Sequence, residues 1–220
     1  MKNEDLKLLV QIAKSKIDKD DETFEQIEMF VVSKHGADVF DNIKDEIIEH
    51  IERRKLIKEK NKRFWMLISN PQKWGDDIPE YAFNETILNL NDEEIIQWSI
   101  NKNTDISLQM KEGERGIIKV SEDKRTIQQR TDENENIVPL VESGIYGIFE
   151  IVKDDENFVT FEDEYGDFYV NIKVIDNFYK KSKQISKQQA VEILGEDIFN
   201  SMQSRSIERK QFEAIESVVK

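Results

Sequence analysis

Residues 63–74 read RFWMLISNPQKW, a two-faced apolar strand that runs straight into a polar turn and a tryptophan. Phe64, Met66 and Ile68 alternate with Trp65, Leu67 and Ser69, the period-two pattern of a strand covered on both faces. Asn70-Pro71 ends it, because proline removes a ladder donor and holds the preceding residue in extended geometry. The chain must therefore leave the sheet with Ser69 and Asn70 at the strand end and Trp74 just beyond. Small hydrogen-bonding groups beside an indole suit the edge and face of a flat ring. Each also has an ordinary role: a core indole at Trp65, a strand-end cap at Ser69, a turn residue before proline at Asn70.

The 220 residues accommodate one large domain, or a small one and a medium one. A formal net charge of -14 argues against nonspecific adhesion to nucleic acid or an anionic membrane, although a local basic footprint remains compatible with it. Cysteine is absent and only His35 and His50 are present, which excludes disulfides and thiolate metal sites and argues against Ser-His or Cys-His hydrolases and histidine-built metal centres. No catalytic residues, metal or cofactor are expected. The start MKNEDLKLL carries no signal-peptide pattern and no run of apolar residues is long enough for a membrane span, so a cytoplasmic location is expected.

Residues 1–60 read as a helical bundle. Leu6, Leu9, Val10, Ala13 and Ile17 recur at helical spacing, and the acidic run from Asp18 to Glu22 breaks the pattern and offers caps to a second helix carrying Phe24, Ile27, Phe30 and Val31. Lys34-His35-Gly36 ends that helix, and a third is expected from Asp38 through Phe40, Ile43, Ile47, Ile48 and Ile51. A basic run follows: Arg53, Arg54, Lys55, Lys58, Lys60, Lys62 and Arg63. It suits either a solvated helix end or a phosphate-contacting seam.

From residue 61 to 220 the pattern is mixed. A short helix is expected at Asn91 to Ile96, then a turn at Lys111 to Glu114 that delivers a strand from Arg115 to Val120. Ser121 to Asn136 is almost wholly polar and reads as an exposed, mobile loop. Strands resume at Gly144 to Val152, Phe158 to Phe161 and Phe168 to Ile175, with helices marked by Ala190, Ile193 and Leu194 and by Phe212, Ile215, Val218 and Val219. These elements predict an α+β fold, a small mixed β-barrel closed by helices. Lys180, Lys181, Lys183, Lys187, Arg205, Arg209 and Lys210 form a second basic population.

Taken in order, RFWMLISNPQKW, Trp98-Ser99, Gly113-Glu114 before a strand and ESGIYGIFEIVK resemble the EVE domain of the PUA-like superfamily, a relative of the YTH domain. The resemblance covers residues 62–218 and leaves the amino-terminal helices outside it. It implies a compact barrel that takes one extruded, modified nucleobase into an aromatic pocket without catalysis. Similar domains serve modification-dependent restriction systems. By position, Ser69 and Asn70 match the polar pair lining the base pocket, and Trp98, with Ser99 beside it, matches a cage wall. Tyr165 lies nearest the place of a further wall, and Trp74 is an alternative to it. Gly113-Glu114 replaces the usual Gly-Asp, and the long polar loop after Val120 is a second departure.

The resemblance implies DNA or RNA carrying a modified base as partner. Arg53, Arg54, Lys55, Lys180, Lys181 and Arg205 are the candidates for its phosphates. Residues 1–60 are then expected to contact flanking nucleic acid or to dock an effector nuclease or other protein. The acidic balance favours a different class, an interaction or inhibitor module that uses the barrel as scaffold.

Overall fold

A computed structural model describes residues 3–20, 22–73, 87–100, 109–131, 135–154, 158–162, 164 and 167–220. Trp74 and Tyr165 lie outside the described residues. The chain divides into two compact units, Met1–Lys62 and Arg63–Lys220.

The first unit is helical: α1 (Asn3–Asp20), α2 (Phe24–His35), α3 (Ala37–Asp41) and α4 (Lys44–Asn61). Leu9, Val10, Ala13, Ile17, Ile27, Val31, Phe40, Ile43 and Ile47 form its core. Thr23 starts α2, not the acidic run before it; its hydroxyl accepts from the Gln26 N–H while the Gln26 side chain accepts from the Thr23 N–H, a reciprocal cap. The expected third helix is broken in two. Asn42 Nδ2 donates to the Asp38 carbonyl at 2.6 Å, and such a side chain competes with the helical ladder at the point where α3 stops.

The second unit holds β1 (Phe64–Ser69), β2 (Ile95–Ile100), β3 (Arg115–Val120), β4 (Gly144–Ile151), β5 (Thr160–Glu162), β6 (Phe168–Asn177), β7 (Ile185–Ser186) and β8 (Arg205–Ile207). Three helices accompany them: α5 (Lys187–Leu194), α6 (Glu196–Phe199) and α7 (Arg209–Val219). The strands form one mixed sheet in the order β2-β6-β4-β3-β1-β8, with β5 paired to β6 and β7 to β4. β1 runs parallel to β3, and the other neighbours are antiparallel.

The expected closed barrel is thus replaced by an open sheet whose path ends at β2 and β8. Helices bury one face instead of closure. Phe64, Met66, Ile117, Ile145 and Ile148 pack with Ala190, Leu194, Phe199, Phe212 and Ile215. Trp65, Leu67, Trp98, Ile118, Val120, Tyr146, Phe149, Val170 and Ile172 form the other layer. Phe64 and Phe212 stack at 4.5 Å, with Arg209 over Phe64 and Arg115 over Phe212, which pins α7 to the sheet.

Two further expectations are corrected. The predicted helix at Asn91 to Ile96 is a turn leading into β2. Glu94 accepts from the Asn91 N–H at 2.8 Å, and the β-branched pair Ile95-Ile96 then enters the ladder beside β6. The polar stretch after β3 is not uniformly exposed. Ser121, Asp123 and Arg125 are buried, and Arg125 reaches the Asp123 carboxylate through Nε at 2.9 Å and Nη2 at 2.7 Å. Polar residues that satisfy one another are not bound to remain in solvent.

The turn before β3 also holds the core. Gly113 has φ +76, a conformation costly for other residues, and Glu114 N–H closes the turn on the Lys111 carbonyl at 3.1 Å. The buried Glu114 carboxylate accepts from Trp65 Nε1 at 2.7 Å and from the Lys111 N–H at 3.1 Å. Gly116 is required by close approach. A Cβ there would lie 2.3 Å from the Trp65 carbonyl oxygen and 2.4 Å from the Phe149 ring.

Lys119 is buried on the helix-covered side of β3, donates to the Ser201 carbonyl at 3.0 Å and lies over the Phe199 ring. Burial, reinforced by Lys187, lowers its pKa to about 8. A lysine whose folded pKa is depressed weakens the fold fully below that value, and the penalty is relieved as pH rises toward the unfolded value near 10.5. Lys119→Met is expected to stabilise the protein at pH 7 by on the order of 2 kcal/mol and to lose that advantage by about pH 10. Urea unfolding at the two pH values checks this. An equal difference at both would contradict it.

Candidate functional site

The ends of β1 and β3 gather hydrogen-bonding groups that the protein itself leaves unmet. β1 and β3 lie in register with Ser69 opposite Val120, and the Ser121 N–H donates to the Ser69 carbonyl at 2.9 Å. Ser69 is 1% exposed, yet its hydroxyl has no partner, and the same holds for the buried Ser121 hydroxyl and the Gln72 amide oxygen. Such groups normally cost about 1–3 kcal/mol each when buried unpaired, so this strand end is where the second unit has unspent hydrogen-bonding capacity. Asn70 is committed locally. Its Oδ1 accepts from the Gln72 N–H at 3.2 Å, which shapes the turn through Pro71–Lys73.

The Asp123–Arg125 pair sits beneath this end. The Val141 N–H donates to Asp123 Oδ2 at 3.1 Å and the Ser143 hydroxyl donates to the Val120 carbonyl at 3.0 Å, so the pair ties the segment after β3 to the one before β4. A cavity of 300 Å³ opens beside the start of β4, lined by Leu140, Val141, Glu142, Tyr146, Tyr179 and Gln184 among others. Tyr146 and Tyr179 stack there at 5.6 Å, and the Tyr146 hydroxyl donates to the Glu142 carbonyl at 2.7 Å. Burial raises the Tyr146 pKa well above the phenol range, reinforced by Tyr179, so its hydroxyl stays a donor. The cavity is of a size for a small planar ligand.

Trp98 does not join this group. It pairs with Val170 on β6, while Ile172 pairs with Ile151 on β4 and Gly144 pairs with Val120 beside Ser69. Trp98 therefore lies at the level of Lys153, nine residues along the chain from Gly144, or about 30 Å of strand from the Ser69 end. It is buried in the apolar layer. Ser99, next in the strand, points to the opposite face and is exposed.

The cationic candidates divide in a similar way. Arg54 donates to the Ile17 carbonyl and pairs with Asp18 at 3.2 Å, inside the helical unit. Lys180 donates to Asn91 at 2.7 Å, and Lys181 bridges Asp92 at 2.7 Å and Asp176 at 2.6 Å, which anchors the entry to β2. Arg53, Lys55 and Arg205 are exposed. Ser121, Gln72 and the tyrosine pair were missed in the sequence. The available signal was the alternation Ser121, Asp123, Arg125 within a polar run.

Among the described residues no cluster of histidine and carboxylate side chains is placed to hold a metal ion, and no helix is long and apolar enough to cross a membrane.

No protein-family model and no curated protein sequence matches the chain. Among solved structures, the crystal structure of the DUF55 domain of human thymocyte nuclear protein 1 is similar at 13% identity, covering 71% of this chain and 98% of that chain with a TM-score of 0.46.

Proposed function

We propose that residues 63–220 are a non-catalytic reader of a modified nucleobase in DNA or RNA, which seats a flipped base at the ends of β1 and β3. The observation that carries this reading is the Ser69 hydroxyl, buried and unpartnered at the strand end that the EVE resemblance assigns to the base edge. Ser121 and Gln72, on the segments that follow β3 and β1, carry a second unpartnered hydroxyl and an unpartnered amide oxygen. Tyr146 and Tyr179 supply aromatic surface at the same end of the sheet, and stacking restores about 1–3 kcal/mol per base lost from its helix. One methyl group is worth only on the order of 1 kcal/mol, so discrimination of a modified base rests on fit and on the hydrogen bonds of its edge. In a restriction or defence system, this domain serves as the specificity module, and a separate partner protein supplies cleavage.

Fluorescence-anisotropy titration of matched oligonucleotides, single- and double-stranded, tests it. They carry unmodified cytosine, 5-methylcytosine, 5-hydroxymethylcytosine, adenine or N6-methyladenine. Wild type is expected to prefer one modification, and Ser69→Val to lose about tenfold or more of that preference while remaining folded. Equal affinity for all oligonucleotides, or a preference untouched by the substitution, would overturn the reading.

One observation favours a second reading, an acidic interaction or inhibitor module. The net charge is -14, and Arg54, Lys180 and Lys181 are spent on internal contacts. Under that reading no oligonucleotide binds at any salt concentration, with or without Arg53, Arg54 and Lys55 neutralised.

A further inference from the structure

Among the described residues two cations are buried, Arg125 and Lys119, and only Arg125 has a carboxylate against it. Lys119 pairs with Ile68 of β1 on one side and Ile145 of β4 on the other, and Ile145 pairs in turn with Ile185 of β7. Direct partners share a face, so the lysine rises from the middle of an apolar row. An ammonium group can donate three hydrogen bonds. This one donates to the Ser201 carbonyl at 3.0 Å and lies 4.8 Å from the centre of the Phe199 ring, neither of which carries a negative charge.

The one charge that acts on it has the same sign. Lys187, two residues beyond Ile185 at the start of α5, reinforces the lowering of the Lys119 pKa to about 8, so Lys119 still holds its proton at pH 7. Ser201 is half-buried and Lys187 is exposed, which brings the pair to the surface. The fold gains nothing from such a charge, since an apolar side chain of the same length fills the row without desolvating an ion. An anion shared by both ammonium groups removes the repulsion and the missing counter-charge together. A phosphate group suits that place, with a charge of about -1.5 to -2 at pH 7 and three acceptor oxygens, and lysine binds it as a point charge.

We propose that Lys119 and Lys187 form a seat for a phosphate group, held between their two ammonium groups at the start of α5. The seat does not rest on base reading. Lys119 faces the helix-covered layer, whereas Ser69 pairs with Val120 of the opposite layer. The phosphate belongs to a nucleic-acid backbone or to a small free ion, which present the same oxygens.

Thermal unfolding of the full chain at pH 7 in sodium phosphate, against sodium chloride of equal ionic strength, tests the seat. Phosphate is expected to raise the wild-type melting temperature by about 2–4 °C, and Lys119→Met and Lys187→Gln each to lose most of that rise. General salting-out by phosphate acts on all three proteins alike. An equal rise in all three, or no rise in wild type, would therefore overturn the seat. Oligothymidylate titrated by fluorescence anisotropy then identifies the source. If the phosphate is that of nucleic acid, either substitution weakens binding about three- to tenfold and lowers the salt slope by about one. Binding that is absent or unchanged, with the phosphate-specific rise still lost on substitution, assigns the seat to a free phosphate. Preference among modified oligonucleotides is read separately, so failure of the seat leaves base reading standing.

Discussion

Asp123→Ala is expected to cost the second unit about 3–5 kcal/mol, the largest effect of any single change considered, because it leaves the Arg125 guanidinium buried without its carboxylate. Both side chains are essentially inaccessible, at 0% and 1% exposure. The same carboxylate accepts from the Arg125 and Val141 N–H groups, so the loss also frees two segments flanking the polar strand end. Replacing the pair together, Asp123→Leu with Arg125→Met, is expected to recover most of the loss, since an apolar pair of similar volume needs no desolvated charge. Urea unfolding of the four proteins in a double-mutant cycle measures both effects. A single-mutant cost below about 1 kcal/mol would mean that the pair contributes no more than a surface bridge.

Acid provides an independent check on Asp123. Burial raises its pKa, but the hydrogen bonds from Arg125 and from the Arg125 and Val141 backbones outweigh that and hold it below the usual carboxylate range. A carboxylate with a depressed folded pKa contributes stability above its unfolded value and loses it as pH falls through the folded one. The contribution is therefore expected to be intact at pH 5, to start falling near pH 4 and to be lost only as pH drops through the lowered folded value.

Glu114→Ala is expected to cost about 2–4 kcal/mol, since it strands the buried Trp65 indole N–H and takes away the acceptor of the Lys111 N–H in the turn. Glu114→Gln keeps one acceptor oxygen and the volume, and is expected to cost about half as much. Tryptophan fluorescence followed through urea unfolding reports both stability and the Trp65 environment. If alanine and glutamine cost the same, the lost interaction is packing and the carboxylate has no special role.

Glu114 also shows what was legible beforehand. The Gly-Glu turn was readable from Gly113 and the strand that follows, but its bond to Trp65 spans 49 residues and belongs to the parallel pairing of β1 and β3. Local alternation identified β1, β3, β4 and β6, because each carries its two-sided pattern within its own residues. β2 was misread because Asn91 and the adjacent isoleucines imitate a helix start, although Trp98 and Ile100 are buried while Gln97 and Ser99 are exposed, which is strand parity. Ser69 and Asn70 could be placed at the strand end from proline alone. The distance from Ser69 to Trp98 could not, since it depends on β2 pairing with β6 and not with β1. Likewise, a cation's partner is set by folding. Lys181 reads as a solvated charge until Asp92 and Asp176 are brought to it.

The most direct test of the base-reading account is a titration of the isotope-labelled chain with the preferred modified oligonucleotide, followed by amide chemical shifts. The account predicts that the shifts centre on Ser69, Asn70, Gln72 and Ser121 at the ends of β1 and β3. Shifts centred on Trp98 and Tyr169, or confined to residues 1–62, would contradict it.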